Sequence, residues 1–148
     1  MGHIEETKHL SADRNTLWTT VSDLRGWAEW FTIHEKWIEE PPAEITVGTT
    51  LVAKIVMLGM ANKIEWTVKE IDAPGRLVLA GTGMAGVQCE FTFTITDAAD
   101  GGTDFTVSGD FDGAMIKGAL GKAVEKDGAV QLDATLQKLD ELAAAKAA

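Results

Sequence analysis

The stretch Gln88-Cys89-Glu90-Phe91-Thr92-Phe93-Thr94-Ile95-Thr96 alternates polar and apolar residues without a break. Cys89, Phe91, Phe93 and Ile95 fall on one side of an extended chain and the polar residues fall on the other, as the two-residue period of a half-buried strand requires. Sheets with one oily and one wet face are typically antiparallel, and the oily face has to be covered. The rest of the chain must then supply partner strands and a cover.

Partner strands lie on both sides. Upstream, Leu51, Ala53, Ile55 and Met57 alternate with Val52, Lys54 and Val56, and beyond Gly59 the residues Ile64, Trp66 and Val68 alternate with Lys63, Glu65, Thr67 and Lys69, which reads as a hairpin. Asp72-Ala73-Pro74-Gly75 is a turn signal, and Leu77 to Ala80 opens the next strand. Downstream, Asp100-Gly101-Gly102 turns the chain, after which Phe105, Val107 and Phe111 alternate with Asp104, Thr106, Ser108 and Asp110.

The ends of the chain read as helix. Ser11 is placed to cap a helix over residues 12–24, with Leu17, Trp18, Val21 and Leu24 on one stripe. Gly26 breaks it, and Trp27, Trp30 and Phe31 recur at the spacing of a second short helical turn. Pro41-Pro42 and Val47-Gly48 separate these helices from the strands. From Ala114 to about Leu142, the residues Ile116, Leu120, Val124, Leu132, Leu136 and Leu139 keep helical spacing, which predicts a rod about 40 Å long that serves as the cover. Gly118, Gly121 and Gly128 predict a bend or close packing in its first half, and the Ala-rich tail 143–148 is expected to fray. The fold expected is therefore one α+β domain over residues 1–148 of the helix-grip type: a curved antiparallel sheet of about seven strands, two short N-terminal helices and one long C-terminal helix.

Composition narrows the function. The 148 residues carry a net charge of −10, with thirteen Lys and Arg scattered singly, so no nucleic acid is expected as a partner and an anionic membrane surface is disfavoured. Apolar runs such as Leu51 to Ala61 are far too short to span a bilayer, so no membrane insertion is expected either. The N-terminal residues do not resemble a secretory leader, and a single cysteine, Cys89, suits a reducing compartment, which together predict a cytoplasmic protein.

The order of elements resembles the START-like (SRPBCC) superfamily, which includes the birch-pollen-allergen fold and the polyketide cyclase/dehydrase and lipid-transport family. Val21-Ser22-Asp23-Leu24 leading to Trp27-Ala28-Glu29-Trp30, then Ile33-His34-Glu35 and Gly59-Met60-Ala61-Asn62, is similar to an actinobacterial branch in which some members are named as toxins of type II toxin–antitoxin pairs. The resemblance implies a cavity between sheet and long helix that takes lipids, polyketides or other apolar molecules. For the toxin-named branch it also implies a protein partner, an antitoxin or a second copy of the chain.

Particular motifs sort as follows. Gly81-Thr82-Gly83-Met84-Ala85-Gly86 has the glycine spacing of a dinucleotide fingerprint, but a strand follows where that fingerprint needs a helix, so it reads as a hairpin. Asp97, Asp100 and Asp104 do not match a calcium loop and read as a solvated turn, and with one cysteine and no HExxH no metal or other cofactor is expected. His9 reads as a cross-strand partner. The ligand wall expected is Trp30, His34, Met57, Met60, Trp66, Met84, Phe91, Phe93, Phe111, Ile116, Leu120 and Val124, large and adaptable surfaces on the elements that would enclose the cavity. The small residues Ala53, Ala80, Gly109, Ala119 and Ala123 would enlarge it. With no tyrosine and His34 as the sole weak catalytic candidate, binding is favoured over a polyketide cyclase/dehydrase-like activity and over a toxin.

Overall fold

The computed structural model describes residues 2–42, 44–57, 59–83, 86–113 and 118–147, with the side chains of Met60, Leu120, Lys146 and Ala147 outside that description. The strands are β1 (Gly2–Leu10), β2 (His34–Trp37), β3 (Thr50–Met57), β4 (Met60–Asp72), β5 (Arg76–Thr82), β6 (Gln88–Asp97) and β7 (Thr103–Asp112). The helices are α1 (Arg14–Ser22), α2 (Trp27–Trp30) and α3 (Gly118–Ala147), with a single 3-10 turn, Leu24–Gly26, between α1 and α2. All seven strands form one curled antiparallel sheet in the order β1-β7-β6-β5-β4-β3-β2. This is the helix-grip architecture.

The alternation in Gln88–Thr96 is realised directly. Phe91 stands opposite Leu79 on β5 and Gly109 on β7, and Phe93 stands opposite Leu77 and Val107. These residues are buried on the concave face. The expected hairpin also forms, with Ala53 opposite Ile64 and Leu51 opposite Trp66. Gly75 N–H donates to the Asp72 carbonyl, which closes the turn before β5.

Four expectations change at the level of single residues. Ser11 is not the cap of α1. The Asp13 carboxylate accepts from Thr16 N–H at 2.8 Å and starts the helix two residues later, while Ser11 turns to Asp140 on α3. A short edge strand, β2, follows α2 where no strand was read, because His-Glu-Lys-Trp is too brief to show a period. Ala80 faces outward opposite Glu90 and Thr67, since Leu79 and Gly81 take the inward positions beside it. The tail does not fray at residue 143: α3 runs to Ala147, because Ala143 lies one turn beyond Leu139 on the buried stripe and is itself fully buried. The expected helix start at residues 114–117 lies outside the described residues.

Close backbone approach replaces side-chain volume at two glycines. A Cβ on Gly81 would sit 2.6 Å from Ile64 Cδ1, 2.8 Å from the Trp66 ring and 2.9 Å from Cys89 Sγ, so the missing side chain is what seats the Trp66 indole on β5. On α3, a Cβ at Gly128 would meet Ile4 Cδ1 at 2.7 Å and Cγ2 at 2.8 Å, so this glycine lets the helix close on β1. The close packing expected of the helix glycines is thus found at Gly128.

Two effects compete at that position. Alanine would gain about 1 kcal/mol of helix propensity, whereas forcing a methyl into a filled site costs typically 1–3 kcal/mol. Gly128→Ala is expected to lower the stability measured by chemical denaturation. In an Ile4→Ala background, where the obstruction is gone, the same change is expected to raise stability by up to about 1 kcal/mol.

Candidate functional site

The centre of the concave face is filled by rings from α2. Trp27 packs edge-on to Trp30 at 5.8 Å and Phe31 at 5.5 Å, and it touches His34 at 5.9 Å and Trp37 at 5.2 Å between ring centroids. Trp30 meets Phe93 at 5.9 Å and Phe31 meets both Phe91 and Phe93. The contacts run on through Phe91 to Trp66 and Phe111. Each such pair adds about 0.5–1.5 kcal/mol beyond buried area. The sequence put Trp27, Trp30 and Phe31 on one helical period, and that turn, with His34 and Trp37 on β2 beside it, makes Trp27 the hub, a role the expected ligand wall does not include.

Burial across the concave face is graded. Phe93, Phe105, Leu77, Leu132, Leu136 and Leu139 are 0–1% exposed. Toward the β3–β4 hairpin and the start of α3, Ile55, Met57, Cys89, Phe111 and Val124 keep 5–9% exposure, and Asn62, which pairs with Ile55, is half-buried. Burial is therefore complete around Leu136 and Leu139 and slightly relaxed toward the β3–β4 hairpin. Among the expected wall residues, Met57, Phe111 and Val124 lie at the less buried end, while Trp30, Trp66, Phe91 and Phe93 are 0–1% exposed. Met60 pairs with Met57 and Leu120 lies on α3; Met84 and Ile116 fall outside the described residues. Gly109 does not enlarge the space, because Phe91 and Ile4 already fill it, and Ala119 is exposed.

The buried polar groups among the described residues divide into those with hydrogen-bond partners, Thr20, Thr103 and Thr135 among them, and three atoms without. Trp27 Nε1–H donates to the Val21 carbonyl at 2.8 Å, and Trp37 Nε1–H donates to the Leu24 carbonyl at 2.7 Å. By contrast Trp30 Nε1, Trp66 Nε1 and His34 Nδ1 are buried with no hydrogen-bond partner among the described residues. Such a group typically costs about 1–3 kcal/mol, and all three belong to the wall expected from sequence. His34 packs at a tilt against Trp37, 4.5 Å between ring centroids, and burial pushes its imidazole down to about 4, so it is neutral at pH 7. Burial likewise pushes the Cys89 thiol up to about 12.

The other titrating clusters are at the surface. His9 bridges Asp100 and Asp104, and His3 bonds Asp110 at 2.6 Å, so both rings sit between β1 and its neighbours as cross-strand partners. The turn at residues 98–102 is closed by Gly102 N–H donating to the Asp100 carboxylate, as a solvated turn requires. Among the described residues no helix is long and apolar enough to cross a membrane.

The family described as polyketide cyclase / dehydrase and lipid transport matches residues 1–144. The chain is 27% identical over 142 residues to uncharacterized protein Rv1546 of Mycobacterium tuberculosis, which covers 96% of this chain and 99% of that one. It is 35% identical over 71 residues to Toxin Rv0910 of the same organism, about half of each chain (48% and 49%). In three dimensions it is similar to the Zhui aromatase/cyclase of a Streptomyces species, with a TM-score of 0.80 and 17% identity over 99% of this chain and 95% of that one.

His34 makes stability depend on pH. The unfolded chain takes up the histidine proton below about pH 6.5, whereas the folded chain resists it until about pH 4. The stability gained by keeping the ring neutral is therefore complete above pH 6.5 and is lost as pH falls from 6.5 to 4, by on the order of 3 kcal/mol. His3 and His9 are raised by hydrogen bonds to Asp110 and Asp104, so they act in the opposite sense, but at the surface. Melting temperature followed over that range is expected to fall more steeply in the wild type than in His34→Leu.

Proposed function

This chain belongs to the polyketide cyclase / dehydrase and lipid transport family, and we propose that it binds a small, mostly apolar molecule between the concave face of the sheet and α3. The observation that carries this reading is the set of three buried and unpartnered polar atoms, Trp30 Nε1, Trp66 Nε1 and His34 Nδ1, within a wall that is otherwise hydrocarbon and aromatic. Ligand sites typically combine a large apolar lining with a few polar groups that fix orientation. The residual exposure of Met57, Phe111 and Val124 supports entry from the β3–β4 end.

Binding fits the interior better than turnover. A cyclase or dehydrase needs an acid and a base that exchange protons near neutrality. At the buried described positions of β2 to β7 the titratable groups are His34 and Cys89, and burial holds both neutral at pH 7. Neither is tuned toward the working range of a general acid or base.

Tryptophan fluorescence tests the reading directly, since Trp30 and Trp66 both lie in the wall. Titration with fatty esters, flavonoids and polyketide-like aromatics is expected to give saturable quenching for at least one class, with a matching adduct by native mass spectrometry. A flat response to every class would end the proposal.

A further inference from the structure

We infer, taking the binding reading above as premise, that the ligand is electrically neutral and carries acceptor oxygen, as in a ketone, ester, quinone or lactone, and that a free carboxylate is selected against. An indole N–H can only donate. Trp30 Nε1 and Trp66 Nε1 are both fully buried donors without partners among the described residues, so the group that relieves them must accept.

The charge layout then chooses between kinds of acceptor. Along the concave positions of β3 to β7 the charge among the described residues is Asp97, exposed at the very end of β6 and 3.6 Å from Arg14. Glu6 and Lys8 share a face with Ile4 on β1, the edge strand under α3, and they bring one charge of each sign. A carboxylate entering beside the indoles would give up its hydration with no net counter-charge, which is far costlier than burying a neutral carbonyl that accepts one or two hydrogen bonds. His34, neutral and free to present either a donor or a lone pair at Nδ1, adds a third contact and no cation. Two donors with no balancing charge form a site for dipoles.

The test uses the whole chain with matched pairs of probes at pH 8: methyl laurate against laurate, and acetylnaphthalene against naphthoate, with dissociation constants from calorimetry or indole quenching. The neutral member of each pair is expected to bind at least tenfold more tightly. Equal or tighter binding of the carboxylates would overturn the inference while leaving a binding function intact, whereas no binding by any of the four would remove both. Trp66→Phe keeps an aromatic ring on the wall and deletes the donor along with the five-membered part of the indole. It is expected to weaken the neutral probes by about three- to tenfold, the size of one lost hydrogen bond, with little effect on the carboxylates. Unchanged affinities in both Trp66→Phe and Trp30→Phe would likewise refute the assignment, and the wild-type comparison stands even if a variant folds poorly.

Discussion

The Trp27 indole, fully buried and tied through Nε1–H to the Val21 carbonyl, is the contact on which the interior depends. That one bond joins the end of α1 to the short helix α2. From there the Trp27 ring touches rings on α2, β2 and β6 together. A four-residue helix has almost no stability of its own, because nucleation is costly and only one turn repays it. Packing against Phe91 and Phe93 is what holds α2 in place, so the aromatic cluster is both core and scaffold for Trp30 and His34.

The cover of the sheet is thus shared. α3 closes on β1 through Ile4 and Gly128 and is tied to the segment after α2 by Thr32, whose backbone N–H donates to Thr135 Oγ1 and whose hydroxyl donates to the Gln131 carbonyl. The rings of α2 press into the middle of the concave face. Divided cover leaves the end near the β3–β4 hairpin less buried than the end near Leu136 and Leu139. In a domain whose close-packed interior normally satisfies its polar atoms, two indole donors and one imidazole nitrogen without partners mark the part of the core where packing alone does not account for residue choice.

Much of this was legible in residue order. Strand faces, turns, the amphipathic C-terminal rod and the helical recurrence of Trp27, Trp30 and Phe31 all arise from short-range periodicity, and a buried face enforces periodicity because a slip of one residue would expose it. Periodicity is silent where a residue's place depends on a distant partner. Asp13 rather than Ser11 caps α1 because Ser11 has Asp140 to bond, more than a hundred residues away. The edge strand β2 exists because β3 offers it a ladder. Ala80 points outward because its neighbours Leu79 and Gly81 are claimed by the core.

By itself, then, the sequence determined the class of fold and most of the inward-facing residues, since alternation is a property of the chain before it folds. Only the tertiary structure decided which tryptophans are satisfied and which are not. All of them carry the same donor, and whether a carbonyl lies within reach depends on how α1, α2 and the sheet converge. The same convergence decided that His34 is neutral, because its proton affinity is set by the rings packed around it and by the water they displace.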